Sequence, residues 1–197
     1  MVHGNINRGL DPPDIENRVL VVRQGSSWGG VGMSRTSEPI AGKTTQLIID
    51  SLMRIPIFDK LDSDELRIAS AYMKPVDIKP GEIVFKEGDR GDFVCFVVEG
   101  TLDVIKRKAT GEDVVISNLT KGRSIGEMAV IDNFPRSATV KGKTEATLLT
   151  LSQDKFNAIL NDHAGIGVEI LKGISRLLSL NLRQTSGRLA DLLLSPR

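Results

Sequence analysis

From Val76 to Leu151 the apolar residues come in short runs that alternate with polar ones and are cut by glycine. Val76-Asp77-Ile78-Lys79 stops at Pro80-Gly81, Ile83-Val84-Phe85 at Glu87-Gly88-Asp89, and Phe93 to Val98 at Gly100. Leu102-Asp103-Val104-Ile105, Val114-Val115-Ile116, Ala138-Thr139-Val140 and Ala146 to Leu151 continue the series. Strands of this length with regular turn signals predict an antiparallel barrel or sandwich. On either side the period is helical. Leu47, Ile48, Leu52, Ile55 and Ile57, then Asp64 to Ala69, predict short helices joined by a turn at Pro56, and the helical pattern resumes after Ser152 and runs to Leu194. Helices, a strand-rich core and a long final helix make an α+β arrangement.

The first 45 residues differ from the rest. They hold seven of the nineteen glycines, with Pro12, Pro13 and Pro39, and their only apolar cluster is Val19 to Val22. This composition predicts a flexible extension over residues 1–45. The expected organisation is therefore that extension, a β-rich domain at 46–163, and a terminal helix at 164–197. With 26 Lys+Arg against 25 Asp+Glu, the net charge of +1 supplies no global field for nucleic acid or an acidic membrane. Eight aromatic residues are too few for a row of base-stacking platforms. Cys95 is the single cysteine and is expected in the core; with His3 and His163 it cannot build a haem, iron–sulfur or Cys-rich zinc site. His163, at a helix start, is expected to be exposed. The absence of a long apolar run or an apolar leader predicts a cytoplasmic protein without a membrane span.

Two segments imitate phosphate loops and fail. Gly42-Lys43-Thr44 ends like a Walker loop, but Ser37 stands where its first glycine belongs; Gly30-Val31-Gly32 opens like a dinucleotide fingerprint, but Arg35 replaces the third glycine. The informative segment is Gly122 to Val140, where a short helical turn interrupts the strands. Gly126 lets the backbone approach a ligand closely. Residues 127–131 can form one helical turn with free N–H groups for an anion. Arg136, after the stiffening Pro135, offers a permanently charged fork suited to phosphate, and Ser137 adds a hydroxyl. Glu127 would repel an anion unless it has its own task, and accepting a hydrogen bond from a sugar hydroxyl is such a task. Phosphate and ribose recognised together mean a nucleotide.

This stretch resembles the cassette of the cyclic-nucleotide-binding domain family: Gly126-Glu127-Met128-Ala129-Val130, a spacer, then Pro135-Arg136-Ser137-Ala138-Thr139-Val140. The resemblance extends over about residues 54–194 and includes Glu87-Gly88-Asp89-Arg90-Gly91-Asp92 and Val98-Glu99-Gly100. It implies an antiparallel jelly roll (double-stranded β-helix) with N-terminal helices and a long C-terminal helix. It also implies that Glu127 holds the ribose 2′-hydroxyl. Arg136 pairs with the cyclic phosphate, helped by Ser137 and the N–H groups of Met128, Ala129 and Ala138. Ile125 departs from the family, which more often has an aromatic there. Ser137, where cGMP-selective relatives tend to carry Thr, points to cAMP as ligand over cGMP.

In the last helix Leu171, Ile174, Leu178, Leu182, Thr185, Leu189 and Leu192 have a mean step of 3.5, the seam of a two-helix coiled coil, and predict a parallel homodimer. The alternative is a helix packed on its own barrel. Leu182 to Ser186 resembles the dimer helix of catabolite-activator-type receptors, which implies that Thr185 meets the base and Ser186 reaches it from the other subunit. Asn181 replaces an Arg of that pattern, and Gly187 weakens the helix. The chain stops at Pro196-Arg197 without a helix-turn-helix, so no DNA binding is expected. A kinase regulatory subunit would carry two such domains and an inhibitor segment with paired arginines; here there is one cassette. No nucleophile–base pair, metal cluster or complete nucleotide loop predicts an enzyme. The expected function is a cAMP-binding regulator that signals through its final helix to a protein partner of unknown identity. The competing class is an interaction scaffold that keeps the fold but has lost or changed its ligand.

Overall fold

The structure is a computed structural model and describes residues 41–132 and 134–194. The N-terminal extension up to residue 40, the Gly30-Val31-Gly32 look-alike and Pro196-Arg197 lie outside the described residues, while residues 42–44 fall in the first turn of a helix. That helix, α1 (Ala41–Leu52), is followed by a 3-10 turn (Pro56–Phe58) and α2 (Ser63–Ser70). Asp62 and Glu65 form a capping box that starts α2: the Asp62 carboxylate accepts from the Glu65 N–H (2.9 Å), and Glu65 accepts from the Asp62 N–H (3.0 Å).

Eight strands follow: β1 (Lys74–Ile78), β2 (Ile83–Phe85), β3 (Phe93–Glu99), β4 (Thr101–Arg107), β5 (Asp113–Thr120), β6 (Ser124–Ile125), β7 (Thr139–Gly142) and β8 (Ala146–Ser152). They form two antiparallel four-stranded sheets, ordered β1-β8-β3-β6 and β2-β7-β4-β5. This is the jelly-roll order, two facing sheets rather than one closed barrel. The expected α+β class and jelly roll are both present.

The unbroken apolar run of β3 has a structural cause. Successive side chains point to opposite faces of a strand, and here both faces are covered. Cys95 and Val97 enter the core between the sheets with Leu102, Val140 and Leu148. Val94 and Phe96 enter a second core with Phe58, Leu149, Leu151, Phe156 and Ile170, built from the helices on the outside of that sheet.

The helical pattern after Ser152 is two helices, α4 (Gln153–Asp162) and α5 (Ala164–Leu194). Ser152 caps α4 by accepting from the Lys155 N–H, and the backbone leaves helical geometry at His163. His163 is half-buried rather than exposed, its ring edge-on to Tyr72.

The expected seam of α5 needs correction in its first half. Ile166, Ile170 and Ile174 are buried in the chain's own core, Leu171 and Leu178 pack against that core, and Gly173 lies on the Ile57 backbone. Those positions are spent within the subunit because apolar positions three and four apart serve any covered face equally well. Beyond Ser179 the picture reverses: Leu182, Leu189 and Leu192 are 68, 56 and 77% exposed, enough to leave a leucine face uncovered. Among the described residues, no helix is long and apolar enough to cross a membrane.

Candidate nucleotide site

The loop after β2 and the loop before β7 are joined backbone to backbone. The Arg136 N–H donates to Asp89 O (2.8 Å), Arg136 O accepts from the Gly88 N–H (2.9 Å), and Arg90 bridges Pro135. Arg136 thus leaves a fixed backbone, and its side chain turns inward to become 4% exposed. The guanidinium lies over the rings of Phe85 (4.1 Å) and Phe93 (4.4 Å). Its Nη2 donates to Phe93 O (2.8 Å), its Nη1 more weakly to Gly126 O (3.4 Å), and Nε is buried with no partner. Burial lowers the Arg136 pKa, opposed by Cys95 and the carboxylates of Asp92, Asp89 and Glu127. A guanidinium stays charged through such a shift.

Gly126 has φ +83°, and a Cβ there would collide with Arg136 Nη1. Only glycine fits that conformation and that distance together. Glu127 follows at once and is 7% exposed, with Oε2 buried and unpartnered. Burial raises its pKa, opposed by its own backbone N–H and by Arg136. A buried carboxylate oxygen without a protein donor, as Oε2 is, can receive a hydroxyl from elsewhere.

Gly126, Glu127, Met128, Ala129, Arg136, Ser137 and Ala138 line one small pocket, with Phe85 and Phe134 at its sides. All seven cassette residues expected from the sequence are therefore brought together. Helix α3 (Ala129–Asp132) is a single turn. The Ala129 N–H donates to Gly126 O (3.2 Å), whereas those of Met128 and Ala138 have no backbone acceptor among the described residues.

A wider cleft of about 420 Å³ continues from Glu127 and Ser137 to α5, where Leu177, Asn181, Gln184, Thr185 and Arg188 form its far wall. Thr185 thus lines this cleft, while Ser186 is exposed and does not. Sequence reasoning missed Gln184 and Arg188, although their spacing from Asn181 and Thr185 places them on one helix face. It also missed Phe85 and Phe93, Gly91, where any Cβ would collide with Ala129, and Lys106, whose Nζ donates to Ser137 O (2.6 Å). No group of three His, Cys, Asp or Glu among the described residues could hold a metal ion.

A jelly roll with a buried arginine and a buried carboxylate, each with one unpartnered atom, on the wall of one pocket has the chemistry to hold an anion that also carries a hydroxyl. Residues 75–163 match the family model of the cyclic nucleotide-binding domain, so the chain contains a domain of that family. It is 37% identical, over 58% of its length, to a cAMP-dependent protein kinase regulatory subunit of Mycosarcoma maydis, of which the match covers 23%. It is 26% identical to a CRP-like cAMP-activated global transcriptional regulator of Mycobacterium tuberculosis, over 72% of this chain and 62% of that protein. A cyclic nucleotide-binding domain from Methylobacillus flagellatus superposes with a TM-score of 0.69 at 26% identity, covering 78% of this chain and 86% of that one. The chain spans less than two thirds of the length of either curated relative. It is a regulatory domain of the kind that these kinase subunits and transcription regulators carry.

Proposed function

We propose that the chain binds cAMP and reports its presence through α5 to a second copy of itself and to a downstream protein, without turning the ligand over. The observation that carries this reading is the pair Arg136 and Glu127, both buried, each with an unpartnered polar atom, on the wall of one pocket. Arg136 matches the single charge of the cyclic phosphate, with the Ser137 hydroxyl and the Met128 and Ala138 N–H groups around the remaining oxygens. Glu127 Oε2 accepts the ribose 2′-hydroxyl. The base extends into the cleft under α5, where Thr185 supports adenine and Ser186 acts on the site of the partner copy. The leucine face beyond Ser179 supports dimerisation.

Calorimetric titration with cAMP and competition with cGMP test the reading. Tighter binding of cAMP is expected. Equal or reversed affinities overturn the preference for adenine, and no binding of either nucleotide leaves the scaffold class standing. Chromatography of cAMP after long incubation with the protein should recover it unchanged; appearance of AMP would make the protein an enzyme.

A further inference from the structure

We infer that Lys106 is a positioning residue for the anion site, gripping the Ser137 carbonyl and through that peptide strengthening the Ala138 N–H as a donor to the cyclic phosphate. The inference rests on the ligand reading above and concerns a residue that does not line the phosphate pocket.

Lys106 is near the end of β4, in the sheet that also holds β7. Its Nζ donates to Ser137 O (2.6 Å) and to Glu87 Oε1. Glu87 is fixed in turn: its N–H donates to Thr139 Oγ1 (2.9 Å), and its Oε2 accepts weakly from the Arg107 N–H (3.4 Å). The bond from Lys106 lowers the Glu87 pKa, against some desolvation, so the carboxylate stays ionised at neutral pH and keeps the ammonium in place. Of the other carboxylates at this end of β4, Asp113 is taken by Arg107 (2.8 Å) and Glu112 by Lys108 (2.8 Å).

Ser137 O and the Ala138 N–H belong to the same peptide unit, and the structure has no cis bonds among the described residues. In a trans peptide the two groups point in opposite directions. With the ammonium on the carbonyl side, the N–H is directed away from Lys106, and it has no backbone acceptor among the described residues. Ser137 and Ala138 both line the pocket. Withdrawing electron density at the oxygen makes the N–H a stronger donor, the cooperative effect that runs along chains of hydrogen bonds. The same grip fixes the plane of the peptide and hence the direction in which the N–H points. As a surface ion pair the Lys106–Glu87 contact is worth little to the fold, since both side chains are about a third or more exposed. Its value is to the direction and polarity of one donor.

The experiment uses the full chain, cAMP as the probe, and the variants Lys106→Met, Lys106→Arg and Glu87→Gln. Lys106→Met should bind cAMP more weakly, by up to about fivefold, from a strengthening of roughly 10–30% in one charge-assisted bond. Its ligand-free melting should be unchanged. By NMR, the Ser137 carbonyl carbon should shift in Lys106→Met without ligand, and the Ala138 amide proton should move less far downfield on saturation with cAMP. Lys106→Arg should restore affinity and amide response together, and Glu87→Gln should fall between. If the wild type binds and Lys106→Met matches it in affinity and Ala138 response, the inference is overturned while the ligand reading stands. If Lys106→Arg is as weak as Lys106→Met, the lysine acts by packing and the inference is likewise overturned. A wild type that binds no cAMP overturns the ligand reading itself, which is a separate result.

Discussion

Replacing Arg136 tests the site at its centre. In Arg136→Leu the phosphate loses its only buried cation among the described residues. Truncating one partner of a desolvated charge pair costs about 2–5 kcal/mol, which is about thirtyfold to several thousandfold in affinity. The structure also changes what is expected of the ligand-free protein. The side chain lies over the rings of Phe85 and Phe93 and satisfies Phe93 O, so the fold itself uses it. Losing one good charge-assisted bond and the ring contacts, partly offset by removing a desolvated charge, should cost about 2 kcal/mol, or roughly 4–8 °C in Tm. Arg136→Lys keeps a charge but not the fork, so it should melt closer to the wild type and still bind at least about tenfold more weakly. The assay is cAMP titration for both variants, with melting curves at zero and at a hundred times the wild-type Kd. At that excess the wild type gains about 2.7 kcal/mol, and neither variant should follow it. Wild-type affinity in either folded variant would show that the phosphate is held elsewhere, and the assignment of the whole cassette would fall.

Three further outcomes follow from particular groups. Burial raises the Glu127 pKa in the folded chain, so the neutral acid suits the ligand-free fold and the ionised form costs it stability as pH rises through the raised value. Glu127→Gln should therefore raise the ligand-free Tm at pH 7 and leave it unchanged at pH 4, while weakening cAMP binding; a lower Tm at pH 7 contradicts the burial argument. Burial pushes the Cys95 thiol up to about 12, so iodoacetamide at pH 8 should label it only after unfolding, by mass spectrometry, and rapid labelling of the native protein refutes its place between the sheets. Leu182→Glu with Leu189→Glu should turn a dimer into a monomer by light scattering at high micromolar concentration. A wild type that is itself monomeric with cAMP present removes the basis for the leucine seam.

The parts of the site that were legible in the sequence are those encoded by neighbours along the chain. Gly126, Glu127 and Arg136 carry their chemistry within one segment, and their spacing marks the pocket. Phe85 and Phe93 were not legible as the walls around Arg136, because strand alternation says which side a residue faces and not which side chain arrives there from 43 or 51 residues away. The strands were legible because glycine and proline punctuate them, although the two-residue β6 exists only through its pairing with Cys95 and Phe96. The helix seam misled for a related reason. A 3.5-residue apolar step registers a covered face, and Ile174, buried in the core that also holds Ile57, shows that the cover comes first from the same chain.

The anchoring of α5 from Gly173 to Leu178 turns the rest of the helix into a lever. The helix is held where Gly173 lies on Ile57 and Leu178 packs on the core, and it is unsupported among the leucines at its far end. At 1.5 Å per residue, Thr185 is about 10 Å from Leu178 and Leu194 about 24 Å, so a tilt about that point that moves Thr185 by about 1 Å moves the tip by about 2 Å. A displacement the size of a hydrogen-bond adjustment in the cleft is thereby magnified where another molecule would feel it. Gly187 is placed between load and tip, with open space around its missing side chain. As glycine it is the weakest helix former in this part of the rod. Filling it with alanine would stabilise the helix there by about 1 kcal/mol and should make the tip follow the cleft more faithfully.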